Sequence, residues 1–247
     1  ILVGGVEENQ DRYSTTFQDA SGASYTLTGR DAYENSYTLA SGGTVKADVD
    51  FVKPEKVTAY EIGYRGLLEA GKQRITVDLS VYYNQYEDFI ANKNVIVPYN
   101  ATGGFKVFQL YTNSAADINS YGATIGLNTT VLNGFNLGLN YTLAQFDFDQ
   151  ASDPDFEAGF NTPEHKVKLQ FGKTDLFKNF GFNINARWQD EYRWESTFVD
   201  ATIESRTVID AQINYSVPSI KSIFKLGGAN LTGQEYLSAP GVGAIGS

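Results

Sequence analysis

Apolar and polar side chains alternate along both halves of the stretch from residue 53 to residue 90, and in the second half they do so without interruption. In the second half of this stretch, every second position is apolar: Ile75, Val77, Leu79, Val81 and Tyr83. A period of two is the side-chain period of a β-strand. Because the two halves meet at Gly71 and Lys72, we interpret the stretch as a hairpin of two strands, each with one apolar face.

The length of the two arms narrows the choice of fold. Strands of soluble domains are usually about 5–6 residues long, whereas a tilted strand that crosses a bilayer needs about 9–11 residues. Both arms exceed the soluble range. Alternation alone also fits a soluble β-sandwich, which would turn its apolar faces inward, so the length favours a membrane barrel but leaves the sandwich as an alternative.

The same alternation returns from Asn119 onwards and predicts six further strands. Their apolar faces lie within residues 121–127, 135–143, 167–171, 182–188, 207–215 and 223–231. The connections at 70–73, 132–134, 174–179 and 218–222 are short, and those at 91–116, 149–164, 196–204 and 232–247 are longer. Outer-membrane barrels have this asymmetry between their two ends. The sequence therefore predicts an all-β fold, a transmembrane antiparallel β-barrel with about eight long strands in this chain.

Composition excludes several other classes of protein. The 247 residues contain no run of 18 apolar residues, which excludes a helical membrane span. The formal net charge of −10 argues against nucleic-acid binding, which needs clustered Lys and Arg. The chain has no Cys and one His, so neither thiolate chemistry nor a His-based zinc site or catalytic centre is predicted. We expect no enzymatic activity and no cofactor.

Four segments resemble the C-terminal barrel of TonB-dependent outer-membrane receptors. They are Lys53–Tyr64, Asn119–Gly126, Phe160–Val167 and Gly227–Tyr236. The resemblance covers residues 50–240 and implies a barrel of about 22 strands with an N-terminal plug. The plug, the box that contacts TonB and the last strand are expected outside this chain. The motifs also resemble those of receptors of the Bacteroidetes type, including receptors that work with a surface lipoprotein.

This resemblance implies a domain organisation and a function. We interpret residues 1–52 as an extracellular loop with a possible strand, and residues 53–247 as barrel strands and loops. The implied function is import of a nutrient too large for porins across the outer membrane of a Gram-negative bacterium, in contact with membrane lipids and the TonB system. A passive outer-membrane channel or adhesin-like barrel is the alternative, and a soluble carbohydrate-binding sandwich is a third class. Siderophore, cobalamin, oligosaccharide and peptide all remain open as substrates.

Candidate ligand-binding residues lie near the end of the sixth predicted strand: Tyr192, Arg193, Trp194 and Arg187. An aromatic girdle at the membrane interface is the alternative interpretation of the aromatic residues there. Seven charged residues carry lumen-face parity: Glu61, Arg65, Arg74, Asp78, Lys168, Arg187 and Asp210. We expect them to pair with each other or with the plug, because charge on the lipid face would be costly.

The acidic loop at residues 149–164 raises the question of calcium binding. Asp149, Asp153 and Asp155 could contribute oxygen ligands, but the EF-hand spacing fails, since a count from Asp147 puts Ser152 where that loop needs Gly. We therefore interpret this segment as a solvated acidic loop and predict no metal, with an irregular calcium site at those three residues as the weaker alternative.

Overall fold

The computed structural model describes residues 2–3, 11–40, 43–71, 73–131, 133–153, 156–196 and 199–245. Its strands are β1 Leu2–Val3, β2 Ser14–Gln18, β3 Ser24–Thr28, β4 Tyr37–Ala40, β5 Gly43–Lys46, β6 Lys56–Ala70, β7 Gln73–Glu87, β8 Ile90–Pro98, β9 Phe105–Asn113, β10 Ile118–Val131, β11 Phe135–Phe148, β12 Phe156–Glu157, β13 His165–Phe177, β14 Phe180–Gln189, β15 Tyr192–Trp194, β16 Ala201–Ile203, β17 Arg206–Val217 and β18 Ser222–Gly228. Helix α1 covers Gly29–Glu34, and a 3₁₀ turn covers Pro218–Ile220. Within these ranges, no helix is both long and apolar enough to cross a membrane.

Eight long strands form one antiparallel sheet, which we call the barrel wall. Its order is β18-β17-β14-β13-β11-β10-β7-β6, so each strand of the wall pairs with the wall strand that comes before or after it in the chain. The β6–β7 pair runs without a break from Lys56, opposite Glu87, to Ala70, opposite Gln73. The prediction of about eight long antiparallel strands is confirmed. Among the described residues the wall stays open at β6 and β18, as a part of a larger barrel must.

The two faces of the barrel wall differ as the alternation predicts. Leu79, Ile184 and Leu226 are 38%, 40% and 72% exposed on the apolar face. On the other face, the Ser80 and Thr124 hydroxyls lie 2.7 Å apart and form a hydrogen bond across neighbouring strands. A soluble sandwich would bury the apolar face against a second layer. An exposed apolar face with a polar inner face is the arrangement of a barrel in lipid.

The short connections of the barrel wall are tight turns that need left-handed backbone. Asn133 and Gly134 adopt φ angles of 62° and 99° between β10 and β11, where the Asn-Gly pair predicts a turn. Between β13 and β14 the turn is shorter than the predicted 174–179, because β13 continues to Phe177 after an irregularity in its pairing. Lys178 and Asn179 then supply the positive φ angles of this turn.

Residues 91–116, expected to be a long loop, instead form the hairpin β8–β9, and that expectation is wrong. Residues 11–46 likewise hold β2–β5 and α1, more structure than the loop with a possible strand that we expected. β8 and β9 form a sheet in the order β1-β9-β8-β4-β5, with β12 also paired to β8. We call β2–β5, α1, β8, β9 and β12 together the loop module.

The loop module has a hydrophobic core of its own. The core is built from α1, from β3, β8 and β9, and from the segment that follows β5: Leu27, Ala32, Tyr33, Ala47, Val95, Val97, Phe108 and Leu110. The Tyr33 hydroxyl donates a hydrogen bond of 2.5 Å to the Tyr111 carbonyl, which ties α1 to β9. The Thr28 side chain begins α1 in a reciprocal capping box with Asp31. The module is therefore an ordered structure at the end of the barrel wall that carries the longer connections.

Candidate ligand-binding site

A cleft of about 310 Å³ lies between the loop module and the β15–β16 hairpin. Its lining comes from β8, from the segment between β11 and β12, from β12, from β15 and from the connection that follows: Asn94, Gln150, Phe156, Glu157, Arg193, Glu195 and Asp200. β12 pairs with β8, so Glu157 stands opposite Asn92 and beside Asn94 in the sheet. The pairing of Arg193 with Thr202 holds the β15–β16 hairpin on the other side of the cleft.

Acidic side chains dominate the cleft. Arg193 Nη2 lies 2.7 Å from Asp200 Oδ2, and Arg193 Nε lies 3.5 Å from Glu195 Oε1. The hydrogen bond to Asp200 and the charge of Glu195 raise the pKa of Arg193. Burial, with the charges of Asp200 and Glu195, raises the pKa of Glu157. The cleft contains three carboxylates and one guanidinium group. This excess of acceptors suits a ligand that presents ammonium, hydroxyl or amide hydrogen-bond donors.

The structure separates the four predicted ligand-binding residues. Arg193 lines the cleft. Tyr192 and Trp194 are partly buried neighbours on the opposite face of β15, since successive side chains of a strand alternate. Arg187 lies on the barrel wall, where its Nη2 is 2.7 Å from Asp210 Oδ2. Ligand binding by each of the four stays a prediction.

The three aspartates of the acidic loop have different surroundings. Asp149 accepts hydrogen bonds from the Ala151 amide at 3.0 Å and the Ser152 hydroxyl at 2.5 Å, and the Ser152 hydrogen bond is the largest cause of its lowered pKa. Asp153 is buried beside a lysine, and Asp155 lies outside the described residues. In the part of the chain that the structure describes, no group of three or more His, Asp or Glu side chains is placed to hold a metal.

A buried ion pair joins this acidic loop to the loop module. Lys93 Nζ lies 2.7 Å from Asp153 Oδ1, and the two side chains are only 6% and 4% exposed. Lys93 also donates to the Asp48 carbonyl at 3.3 Å, and Asp153 Oδ2 accepts from the Ala115 amide at 3.1 Å. Four segments distant in sequence therefore meet at one pair of charges next to the cleft, since Lys93 stands opposite Phe156 in the sheet.

Five of the seven charged residues with lumen-face parity form ion pairs across neighbouring strands, and Glu61 and Lys168 form none among the described residues. Arg65 Nη2 lies 2.6 Å from Asp78 Oδ2 on the next strand. Arg74 pairs with Glu69 at 3.2 Å, a partner that the sequence interpretation did not name. Together with the pair of Arg187 and Asp210, these contacts keep the charges on the face away from lipid.

Sequence reasoning missed most of the cleft. Asn94, Glu157 and Asp200 lie in segments expected to be loops, and no local pattern brings them together. The available signal was the apolar run Val95-Ile96-Val97, which is typical of a strand buried on both faces.

The family model for the TonB dependent receptor-like β-barrel matches residues 12–231. The chain belongs to this family. Membership confirms the barrel fold and the location in the outer membrane of a Gram-negative bacterium, and together with the exposed apolar face it excludes the soluble sandwich. Family members are receptors and transporters. A comparison with curated proteins finds no match.

Solved structures share the fold at low sequence identity. FpvA of P. aeruginosa, bound to a heterologous pyoverdine and Fe, has a TM-score of 0.52 and 15% identity over 76% of this chain. The FrpB iron transporter of Neisseria meningitidis has a TM-score of 0.54 and 14% identity over 76%. The ferric-catecholate import receptor Fiu of E. coli K12 has a TM-score of 0.53 and 18% identity over 82%. The chain spans 24%, 28% and 27% of these proteins, respectively.

Proposed function

We propose that this chain is the ligand-capturing part of the barrel of a TonB-dependent receptor that imports a nutrient too large for porins. The family match over residues 12–231 is the observation that carries the proposal. The chain supplies a lipid-facing wall, a polar inner face and a cleft in the connections at one end of that wall. The plug and the segment that contacts TonB belong to the rest of the receptor.

In this proposal the cleft captures the ligand before it enters the barrel. Glu157, Glu195 and Asp200 accept hydrogen bonds from the ligand, and Arg193 keeps two of these carboxylates in place. The buried pair of Lys93 and Asp153 anchors the acidic loop beside β12, so Glu157 is positioned before the ligand arrives. Preorganised acceptors lose little conformational entropy when they bind.

The substrate classes to test are siderophores, cobalamin, oligosaccharides and peptides. Three structures that share the fold have names that refer to iron, which places ferric siderophores first in the test. The acidic cleft supports ligands that present hydrogen-bond donors at their surface, and it disfavours those that present only anionic groups.

Uptake by the full-length receptor tests the proposal. Cells that carry the receptor, with and without a working TonB system, are given a labelled member of each substrate class. We expect uptake of one class only when both the receptor and TonB are present. Uptake without TonB would contradict the proposal and indicate a passive channel, and surface binding without uptake in any class would indicate an adhesin.

A variant of the cleft connects the site to that uptake. Arg193→Gln removes the cation that holds Asp200 and Glu195, so we expect weaker ligand binding at equal receptor abundance. Arg74→Gln is the matched control, because Arg74 also pairs with a carboxylate but lies beside the short turn at the far end of the wall. Equal loss in both variants would contradict a role for the cleft.

A surface lipoprotein is a further proposed partner. The loop module supports it with Phe105 and Val107, which are exposed on one face of β9. Purification of the full-length receptor from native membranes tests this partner: we expect a lipoprotein to co-purify, and Val107→Lys to weaken its retention. Recovery of the receptor alone from the native source would contradict the partnership.

A further inference from the structure

Four cations lie together on the inner face of the barrel wall. Lys168 on β13 stands directly opposite Arg187 on β14 in the strand register. In the next inner-face row, Lys166 of β13 and Arg206 of β17 both stand opposite Gln189, one on each side. Like charges directly opposite each other on neighbouring strands are destabilising. This part of the wall therefore holds an arrangement that an anion beside the cations would stabilise.

The wall supplies little negative charge to these cations. Asp210 is the one carboxylate on the inner face of β13, β14 and β17. Its Oδ2 already pairs with Arg187 at 2.7 Å, and its Oδ1 accepts from the Asn230 amide at 2.9 Å. Within the described ranges, neither Lys166 nor Lys168 has a carboxylate oxygen within 4.0 Å. The four cations and Asp210 leave an excess of three positive charges.

The excess does not follow from the composition of the chain. The whole chain carries 29 acidic and 19 basic residues. At the other side of the wall, β6 and β7 pair Arg65 with Asp78 and Arg74 with Glu69. Between the two sides, the inner faces of β10 and β11 carry no charged residue among the described positions. In the described part of the wall, the inner-face cations without a carboxylate partner thus lie on β13 and β17, at Lys166, Lys168 and Arg206, and at Lys225 on β18.

Two of the cations are held in fixed positions. The Arg206 guanidinium carbon lies 4.2 Å from the centre of the Tyr236 ring, and its Nη1 donates to the Leu237 carbonyl at 2.9 Å. Arg187 is held by Asp210. The four cations border a hollow of about 210 Å³. Lys168 and Arg187 also border one of about 350 Å³ with Asp210, and Lys166 and Lys168 border one of about 510 Å³ with Asp78. The hollows are large enough to admit a small oxyanion.

We propose that Lys166, Lys168, Arg187 and Arg206 form a binding site for a carboxylate or phosphate group of a molecule that crosses the lumen. Arg presents planar pairs of donors that match these oxyanions, and Lys adds a mobile point charge. This proposal rests on the proposed transport function and adds to it a second binding site, selective for anions, besides the acidic cleft. A transported molecule with both cationic and anionic groups can bind at both sites.

Binding of inorganic phosphate by the full-length receptor in detergent micelles tests the site. Isothermal titration calorimetry compares the wild type with Lys166→Gln/Lys168→Gln, which keeps side-chain bulk and removes two charges. Lys225→Gln is the matched control, because Lys225 lies on the inner face of β18 opposite Asn214 and borders none of these hollows. We expect the double variant to bind phosphate at least about tenfold more weakly, and the control to bind as the wild type does, with affinity falling as salt rises.

Two results would overturn the site. One is equal phosphate affinity in the wild type and the double variant. The other is no phosphate binding by the wild type together with a lower thermal midpoint of the double variant, which would assign the lysines to carboxylates elsewhere in the receptor. TonB-dependent uptake is measured separately, so a failure of the anion site with intact uptake leaves the proposed function standing. Absence of TonB-dependent uptake by the wild-type receptor would contradict the proposed function itself.

Discussion

The barrel wall and the loop module are stabilised in opposite ways. Among the residues that the structure describes, the wall has no second layer over its apolar face, and residues such as Leu226 and Ile184 are exposed there. The loop module buries Val97, Phe108 and Leu110 in a core drawn from residues 27 to 110. The comparison shows that one chain can use lipid as the apolar phase for one region and its own side chains for the other.

The largest expected effect concerns the buried pair under the loop module. Lys93→Ala leaves Asp153 buried without its cation, which typically costs about 3–5 kcal/mol. We expect this loss as faster hydrogen exchange of the β8 amides in the full-length receptor, with the barrel wall unchanged. The control Lys93→Met/Asp153→Leu removes both charges and is expected to recover most of the protection. A loss below about 1 kcal/mol, the value of an exposed pair, would contradict the burial.

A lysine on each face of the wall gives the next largest effect. Ile184→Lys places a charge on the lipid face and is expected to destabilise the folded receptor by about 2–4 kcal/mol. Asn183→Lys, one residue earlier, points to the inner face opposite Gly172 and Gln212 and is expected to change stability little. Urea unfolding in lipid vesicles measures both. Equal costs at the two positions would contradict the assignment of the faces.

The turns of the wall provide a smaller effect. Asn133 has a φ of 62°, which a β-branched residue adopts only with strain. Asn133→Val is therefore expected to destabilise the receptor by about 1–2 kcal/mol in the same unfolding assay. Asn133→Gly serves as the control and should be close to neutral. A tolerated valine would show that this turn does not hold the left-handed conformation.

The smallest effect is a pH dependence in the cleft. Burial is the first cause of the raised pKa of Glu157, so its contribution to stability is present below the ordinary value of 4.5 and is lost as pH rises through the raised pKa. Glu157→Gln removes this loss. We expect the variant to be slightly more stable than the wild type at pH 7 and equal to it below pH 4.5, as measured by exchange of the loop-module amides. A growing difference in acid would contradict the sign.

The two regions also differ in how far the sequence alone predicts them. The wall is predictable because its signal is local: each long strand repeats one alternation, and the Asn133-Gly134 pair marks a turn by itself. The loop module is not predictable in this way, because β8 is buried on both faces and its segment Val95-Ile96-Val97 is apolar without alternation. Its partners in the core are more than 50 residues away in sequence, at Leu27 and Tyr33.

The candidate cleft follows the same rule. Arg193 could be singled out because an arginine between two aromatic residues stands out locally. Glu157 and Asp200 could not, because only the pairing of β12 with β8 and the ion pair from Arg193 bring them to the cleft. The residues of the cleft are brought together by contacts between segments distant in sequence, so their spacing along the chain does not reveal the site.

Single cysteines along β14 test the central claim, that one face of the wall meets lipid and the other meets water. The 247 residues contain no Cys, so each introduced thiol is the only one in this part of the receptor. Spin labels at 182–187 are compared in vesicles for access to oxygen, which dissolves in lipid, and to a water-soluble nickel complex. We predict that oxygen access peaks at 182, 184 and 186 and that nickel access peaks at 183, 185 and 187. Access that does not alternate, or that alternates with the faces exchanged, would contradict it.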